Sequence, residues 1–308
     1  MQTYAPIALF TYNRADHTQR AVESLLQNAE AKDSDLFIFS DGAKNEKTIK
    51  GVDDNRKYIH TVTGFKSVTI VEREKNWGLA NSLIAGITDV ISKYGRVIVV
   101  EDDLILSPYF LKFMNEGLEK YKDDDRVSSI SGFIPNVEEK LPETFFLRFF
   151  HCWGWATWDR AWSLLNNDVR YLLRKLRFKS NDFSLDGSMG SYGILYCQKV
   201  GLVDSWYIRL YASFYLTGKL TLFPNHSLVS NGGMDGSGTH CRKIENCEAA
   251  TFYESPISLD DIVVAENKEA RKLISNCFKM QLKVQRGIKG KYYKLKSFVR
   301  RFLFIDCI

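Results

Sequence analysis

The sequence predicts an α/β fold in which a mostly parallel sheet is flanked by helices. Short apolar runs recur along the first hundred residues, and each is followed by a polar turn and a segment of helical periodicity. Strands that alternate with helices form βαβ units, which build a parallel sheet. The run at 97–100 contains only β-branched residues, so we expect a central strand covered by helices on both faces.

Each element of this first half has its own signal in the sequence. Apolar runs predict four strands, at 5–12, 36–40, 68–71 and 97–100. The first helix is expected to begin at Asp16 or His17, the second to run through Tyr58, and the third to open at Asn76. Together these elements make four strands with a helix between each pair.

The second half of the chain is less regular. Proline is tolerated in the first turn of a helix, so a helix is expected after Ser107-Pro108. Ser- and Gly-rich composition predicts a mobile loop at 180–192 and a further loop at 230–240. The other expected features are a strand at 127–132, an aromatic cluster at 149–158, a Leu- and Arg-rich helix, a helix at 206–216 and an edge strand at 220–224.

Bulk composition is that of an ordinary globular protein, with 45% hydrophobic and 26% charged residues among 308. No run approaches the ~20 apolar residues that span a bilayer, and the first residues do not resemble a signal peptide. The six cysteines show no CxxC spacing, which argues against a zinc site or a disulfide framework. We therefore expect a cytoplasmic protein with reduced thiols.

Charge is distributed unevenly along the chain. Between residues 270 and 305 there are eleven Lys or Arg residues and no Asp or Glu, which leaves the rest of the chain mildly acidic. A nucleic-acid-binding protein would be basic more uniformly, so no nucleic-acid partner is expected. The tail also interleaves its cations with apolar side chains. This pattern predicts a helix that contacts an anionic membrane, although a solvated helix or one packed on the body would fit as well.

Three consecutive carboxylates, Glu101, Asp102 and Asp103, follow the central strand directly. They are expected at the carboxyl edge of the sheet, where open α/β sheets bind ligands. Because adjacent carboxylates repel one another, a divalent cation that also holds phosphate oxygens is one interpretation. A solvated acidic turn is the other.

Several motifs occur in the order found in one enzyme class. The strand-end motifs resemble those of GT-A glycosyltransferases that use nucleotide sugars, and the acidic triplet most resembles that of inverting N-acetylglucosaminyltransferase I and its bacterial relatives. Later segments are similar to those of bacterial sugar transferases that build surface polysaccharides. The matching motifs are Asn13-Arg14, Ser40-Asp41-Gly42, Asn76-Trp77-Gly78, Glu101-Asp102-Asp103, Trp153-Gly154-Trp155, Asp204-Ser205-Trp206 and Asp235 through His240.

The resemblance implies a role for each residue of the donor site. Asp103 would coordinate Mn²⁺ or Mg²⁺, Asp102 would lie near the ribose, and Glu101 near hydroxyls of the donor sugar. Arg14 would face the pyrophosphate, because its forked donors suit phosphate, and Asp41 would accept a hydrogen bond from the base. A helix cap or a salt bridge for Arg14, and an ordinary Asp-Gly turn for Asp41, remain open as structural alternatives.

Further residues are implied less directly. Asn76 and Gly78 are expected near the nucleotide or simply at a helix start, and Trp155 near the sugar pocket or in the core. His240 would be a second metal or phosphate ligand, or a structural histidine. Asp204 would be the base that deprotonates the acceptor, or a helix cap. Asp186 is the second candidate for the base.

The resemblance implies two halves of one GT-A domain, 1–130 for the nucleotide sugar and 131–265 for the acceptor, followed by the basic tail at 266–308. The expected enzyme moves a sugar with inversion from a UDP-sugar to a glycan or lipid-linked acceptor, at the inner face of the cell membrane. Two other functions stay open. A sugar-phosphate nucleotidyltransferase would need a glycine-rich phosphate loop, and residues 5–16 contain no glycine. A non-catalytic, membrane-attached protein that binds sugar nucleotides is the other.

Overall fold

A computed structural model describes residues 4–235 and 252–288 of the chain. Ten strands lie within these residues: β1 (Ile7–Thr11), β2 (Asp35–Ser40), β3 (Ser67–Glu72), β4 (Arg96–Glu101), β5 (Leu104–Leu106), β6 (Val127–Ser131), β7 (Thr144–Leu147), β8 (Trp155–Trp158), β9 (Leu220–Pro224) and β10 (Val229–Asn231). Ten helices accompany them: α1 (Ala15–Leu26), α2 (Glu46–Ile59), α3 (Leu79–Tyr94), α4 (Phe110–Lys120), α5 (Asp159–Trp162), α6 (Val169–Leu176), α7 (Ser180–Phe183), α8 (Ser191–Lys199), α9 (Trp206–Leu216) and α10 (Lys268–Ile288).

An eight-stranded sheet forms the centre of the molecule, in the order β3-β2-β1-β4-β8-β6-β9-β7. The first four strands in that order are all parallel, as the βαβ pattern predicts. Beyond β4 the sheet is mixed, because β8 runs antiparallel to both β4 and β6 while β9 is parallel to β6. The predicted α/β fold with helices around a central sheet is confirmed. Strands from both predicted halves share this one sheet, and the division at 130 stays a prediction.

The amphipathic helices bury their apolar faces against this sheet. In α3, the fully buried Leu83 and Ile87 lie one turn apart, which is the spacing expected for one helix face. At the start of α2, the Asn45 side chain accepts a hydrogen bond from the backbone N–H of Lys47 and so caps the helix. Helices α1 and α3 begin without such a side-chain cap, so their apolar faces and not capping residues fix them on the sheet.

Several details of the second half differ from the sequence prediction. The aromatic cluster contains strand β8, which inserts between β4 and β6. The strand at 220–224 is interior rather than at the edge, because β7 lies outside it. Residues 180–192 form the short helix α7, a turn segment at 184–190 and the start of α8, and they bury Phe183 and Leu185. The predicted loop is therefore shorter than expected, and part of it packs on the body.

The basic tail begins as a helix that packs on the body. Ile274 of α10 is fully buried, and the Phe278 ring lies 6.2 Å from the ring of Phe149. Just before α10, the backbone N–H of Asn267 donates to the carbonyl of Phe146 on the edge strand β7. The rest of the tail, from residue 289, lies outside the described residues. In the part of the chain that the structure describes, no helix combines the length and the apolar character that a bilayer span needs.

Candidate functional site

The acidic triplet lies at the carboxyl end of β4, where Glu101 ends the strand and Asp102 and Asp103 form the next turn. Because β1 is parallel to β4 and adjacent to it, the residues after β1 reach the same edge. The Arg14 Nη2 atom donates to Asp102 Oδ1 at 2.6 Å and to Asp103 Oδ2 at 3.0 Å. The sheet topology thus brings one arginine and three carboxylates together.

The charges in this cluster are not balanced. Burial raises the pKa of Glu101, and the neighbouring charges of Asp103 and Asp102 raise it further. Burial also raises the pKa of Asp102, and the Arg14 guanidinium counteracts only part of this effect. The Nη1 atom of Arg14 is buried and has no hydrogen-bond partner among the described residues. One guanidinium therefore faces three carboxylates, and the cluster can accept further positive charge.

The donor set of this cluster suits a hard divalent cation, since Asp102 and Asp103 offer carboxylate oxygens beside a surplus of negative charge. Within residues 4–235 and 252–288, no group of three or more His, Cys, Asp or Glu is arranged to hold a metal ion. A cation here would take only one or two carboxylates from the protein. This agrees with the way Mg²⁺-like ions are held when substrate phosphates complete their coordination.

Asp41 follows β2 and organises a neighbouring loop. Its Oδ1 accepts hydrogen bonds from the backbone N–H groups of Gly42 and Trp77, both at 2.9 Å. Its Oδ2 accepts from the Gly78 N–H and the Asn76 Nδ2, both at 3.0 Å. Four internal donors already use the acceptor sites of this carboxylate. Its predicted hydrogen bond to a base therefore stays a prediction, and the structure assigns Asp41 the task of holding the segment before α3.

The same loop exposes a ring near the edge of the sheet. Gly78 has a φ of 75°, a conformation that favours glycine, and its backbone turns the chain into α3. The preceding Trp77 ring is 44% exposed, and the guanidinium carbon of Arg73 lies 4.0 Å from its centroid. Asn76, Gly78 and Asp41 thus lie together, with an accessible cation–aromatic pair beside them, and their contact with a nucleotide stays a prediction.

The start of the predicted loop at 230–240 covers Asp103, through a strand pairing that was not predicted. Strands β5 and β10 pair antiparallel, which carries Gly232 and Gly233 to the triplet. The Gly232 N–H donates to the Asp103 carbonyl at 2.7 Å, and a Cβ at Gly233 would lie only 2.7 Å from Asp103 Oδ2. The glycines at 232–233 are the sequence signal, because only glycine permits so close an approach. The chain continues from here toward His240, which lies outside the described residues.

The structure places Trp155 inside the core. Its side chain is fully buried on β8, and its ring stacks on that of Trp206 with a centroid separation of 5.6 Å. Trp153 and Trp158 are buried as well. All three rings therefore pack in the core, which is the structural alternative given above. Contact between Trp155 and a donor sugar stays a prediction, and the burial of its ring does not support it.

The two candidate bases differ in their surroundings. The exposed Asp204 accepts hydrogen bonds from Gln198 at 3.2 Å and from Arg209 at 3.1 Å. The cap of α9 is Ser205, whose hydroxyl accepts from the backbone N–H of a residue three positions on. Asp186 is held by ion pairs to a buried arginine in α10. Of the two, Asp204 has the more accessible carboxylate.

Comparison with known proteins gives a family match. Residues 7–185, more than half of the chain, match the family described as Glycosyl transferase family 2. A curated relative, the alpha-1,3-mannosyl-glycoprotein 2-beta-N-acetylglucosaminyltransferase of Arabidopsis thaliana, is 23% identical over 235 residues. The match covers 65% of this chain and 52% of the relative, so the chain spans about half of the relative's length.

Two solved structures match parts of this chain. A mannosyltransferase from Pyrobaculum calidifontis, in complex with GDP-Man and Mn²⁺, has a TM-score of 0.39 and 13% identity, and the match covers 70% of each chain. TarS from S. aureus has a TM-score of 0.31 and 14% identity, over 54% of this chain and 26% of that chain.

Proposed function

The chain belongs to glycosyl transferase family 2, and we propose that it is a nucleotide-sugar glycosyltransferase that works with a divalent cation and inverts the anomeric configuration of the sugar that it transfers. The proposed donor is a UDP-sugar, and the acceptor is a glycan or lipid-linked oligosaccharide. The proposed setting is bacterial surface polysaccharide synthesis at the inner face of the cell membrane, with the basic tail contacting anionic lipid.

One observation carries the metal proposal. Asp102 and Asp103 share a single guanidinium at the carboxyl edge of the sheet, within a cluster of three carboxylates. A bound Mn²⁺ or Mg²⁺ would neutralise charge that develops on the departing diphosphate. Asp103 is the proposed metal ligand, with His240 as a second one. Glu101 would then accept hydrogen bonds from the hydroxyls of the donor sugar.

Arg14 has a defined part in this proposal. Its guanidinium is held between two carboxylates, 20% of its side chain is exposed, and its Nη1 has no hydrogen-bond partner among the described residues. A forked guanidinium can bind a phosphate oxygen with one arm while the other arm keeps its carboxylate. Arg14 would therefore orient the diphosphate against the acidic triplet. The Asp41 loop would hold Asn76 and Gly78 beside the nucleoside.

The donor is best tested by binding. A panel of UDP-, GDP- and dTDP-sugars is tested by thermal shift with and without Mn²⁺, because a ligand that binds only the folded state stabilises it by mass action. We expect UDP-sugars to raise the melting temperature only when Mn²⁺ is present. Equal rises in melting temperature without Mn²⁺ would contradict the role of the cation. A rise seen only with GDP- or dTDP-sugars would show that the donor is not a UDP-sugar.

The proposed base is tested by substitution. Asp204→Asn removes the acceptor of the proton without changing the size of the side chain, so turnover should fall by roughly 10²- to 10⁴-fold while donor binding persists. Single-turnover transfer and the donor-induced thermal shift are measured on the same preparation. Asp186→Asn is the control and should keep turnover at any temperature where it is folded. Near-normal turnover in Asp204→Asn would show that the base is misassigned.

A further inference from the structure

A strongly basic surface with exposed aromatic rings lies on α6 and the residues that follow it. Phe178 is 85% exposed, and within the described residues no large apolar side chain is more exposed. Tyr171 is also exposed. An isolated exposed apolar residue needs no explanation, but rings clustered with cations mark an interaction surface.

The charge of this segment is of one sign. Between residues 169 and 181 there are five Lys or Arg and no Asp or Glu, although the body of the chain as a whole is mildly acidic. The buried face of α6 consists of three leucines, so its cations face outward together. The five exposed cations of this segment are Arg170, Arg174 and Lys175 on α6 and Arg177 and Lys179 after it.

The cations and the rings occupy the same face. The guanidinium carbon of Arg177 lies 4.4 Å from the centroid of the Phe178 ring. Arg174 and Lys175 lie 5.8 Å and 5.7 Å from the centroid of Tyr171. Cations beside apolar rings are found in segments that lie at a bilayer interface, because the rings enter the headgroup region while the cations meet lipid phosphates.

Helix α8 extends this surface. It packs against α6, and the hydroxyl of Tyr192 lies 3.5 Å from the carbonyl of Leu173. Beyond that contact, Tyr196, Val200 and Leu202 are 50%, 49% and 60% exposed. We call the exposed residues of 170–179 together with those of 196–202 the basic aromatic surface.

We propose that the basic aromatic surface docks on a bilayer that contains anionic phospholipid. Charge complementarity selects the partner, and the aliphatic side chains Val200 and Leu202 select a bilayer over a nucleic acid. They can enter the acyl region of a membrane, whereas they offer neither stacking nor hydrogen bonds to a base. This surface is separate from the basic tail, since its residues at 170–179 and 196–202 lie on α6, α8 and the residues that follow them, and none belongs to 266–308.

The basic aromatic surface lies beside Asp204, the proposed base for the acceptor. This part of the inference rests on the proposed function. Gln198 of α8 donates to Asp204 at 3.2 Å and accepts from the backbone N–H of Ser205 at 2.6 Å. The exposed end of α8 is thereby fixed beside the proposed base. A bilayer on this surface would present a lipid-linked acceptor to Asp204.

Vesicle binding of the full chain tests the proposal. Co-sedimentation is measured with vesicles of phosphatidylcholine alone and of phosphatidylcholine mixed with phosphatidylserine, without donor or acceptor, so that failure here is distinct from failure of sugar transfer. We expect binding to the mixed vesicles only. Each cation near an anionic surface contributes about fivefold, so Arg174→Glu with Lys175→Glu should weaken binding more than ~10-fold. Phe178→Ser should weaken it severalfold.

The controls match each variant in exposure. Lys50→Glu reverses a lysine whose side chain is 89% exposed on α2, and Val263→Ser removes an apolar side chain that is 83% exposed. Both should bind as the unaltered chain does, and melting temperatures check that all variants are folded. Unchanged binding in the α6 variants would overturn the proposal, as would an equal loss in Lys50→Glu. RNA binding of the same variants is measured by filter retention. The proposal would also be overturned if the Arg174→Glu, Lys175→Glu variant lost RNA binding while it kept vesicle binding.

Discussion

Two groups of three carboxylates in this molecule are neutralised to different extents. The first, which we call the rim cluster, is Glu101, Asp102 and Asp103 with Arg14. The second, the anchor cluster, is Asp182, Asp186 and Glu266. In the anchor cluster Arg271 bonds to all three acids, at 2.8, 3.0 and 2.9 Å, and Arg148 adds a further ion pair to Asp182 at 3.0 Å.

The anchor cluster has two guanidinium groups for its three carboxylates, and each carboxylate bonds to Arg271. It connects α10 to the segment between α7 and α8, where Leu185, Asp186 and Gly187 have φ values of 48°, 56° and 71°. Two non-glycine residues in this region cost roughly 1–3 kcal/mol each, so surrounding contacts must hold them in place. The rim cluster has one arginine for three acids and lies at the ligand edge of the sheet. The difference indicates that the anchor cluster maintains structure, whereas the rim cluster keeps a larger surplus of carboxylates, which is what the proposed cation would neutralise.

The largest expected effect is in the anchor cluster. Arg271→Ala leaves three carboxylates without their shared partner. Breaking a buried pair costs about 3–5 kcal/mol, and because two of the acids are 41% exposed we expect about 2–3 kcal/mol of lost unfolding free energy. Urea denaturation measures this loss. The exposed Arg177→Ala serves as control and should change stability by less than about 0.5 kcal/mol.

A loss in Arg271→Ala no larger than in Arg177→Ala would mean that the anchor cluster does not hold α10 on the body. The clusters would then differ in position alone and not in their effect on stability.

The next effect separates the clusters by their response to metal. Saturating Mn²⁺ should stabilise the unaltered protein by about 2–3 kcal/mol at 100 times its dissociation constant. Asp103→Asn should abolish this gain, whereas Asp186→Asn should be less stable but keep it. The difference in melting temperature with and without Mn²⁺ is the measurement. An equal Mn²⁺ response in both variants would refute the assignment of the metal to the rim cluster.

The acidic triplet of the rim cluster could be placed from sequence because this needs only local information: a run of β-branched residues puts Glu101 at a strand end. Arg14 contacts Asp102 and Asp103 across 88 and 89 residues of chain, so these partners could not be predicted from a local pattern. The approach of Gly233 to Asp103 could not be predicted, since it depends on β5 and β10, which have only three residues each. Strands this short lack a detectable period.

The anchor cluster could not be predicted from sequence for the same reason as the contacts of Arg14. Arg271 contacts Asp182 and Asp186 across 89 and 85 residues of chain, and no local sequence pattern indicates such pairs. Strand β8 was missed because all four of its residues are buried, so the apolar–polar alternation of a half-exposed strand is absent. Long-range packing, and not local propensity, decides both features.

The smallest expected effect tests the surplus charge directly. The folded-state pKa of Glu101 lies above its ordinary value, so its stabilising contribution is present at low pH and is lost as pH rises through the folded pKa. The glutamine of Glu101→Gln stays neutral at every pH. The unfolding free energy of this variant should therefore exceed that of the unaltered protein by about 1 kcal/mol near pH 8, with the difference vanishing near pH 4.

In the anchor cluster, Glu266→Gln should lower the unfolding free energy near pH 8, because the Glu266 carboxylate accepts hydrogen bonds from Arg271 and from the backbone N–H of Arg148. Urea titrations between pH 4 and pH 8 measure the sign of the stability change in each of the two variants. Destabilisation by Glu101→Gln near pH 8 would show that Arg14 already balances the rim cluster, and the argument for a cation there would fail.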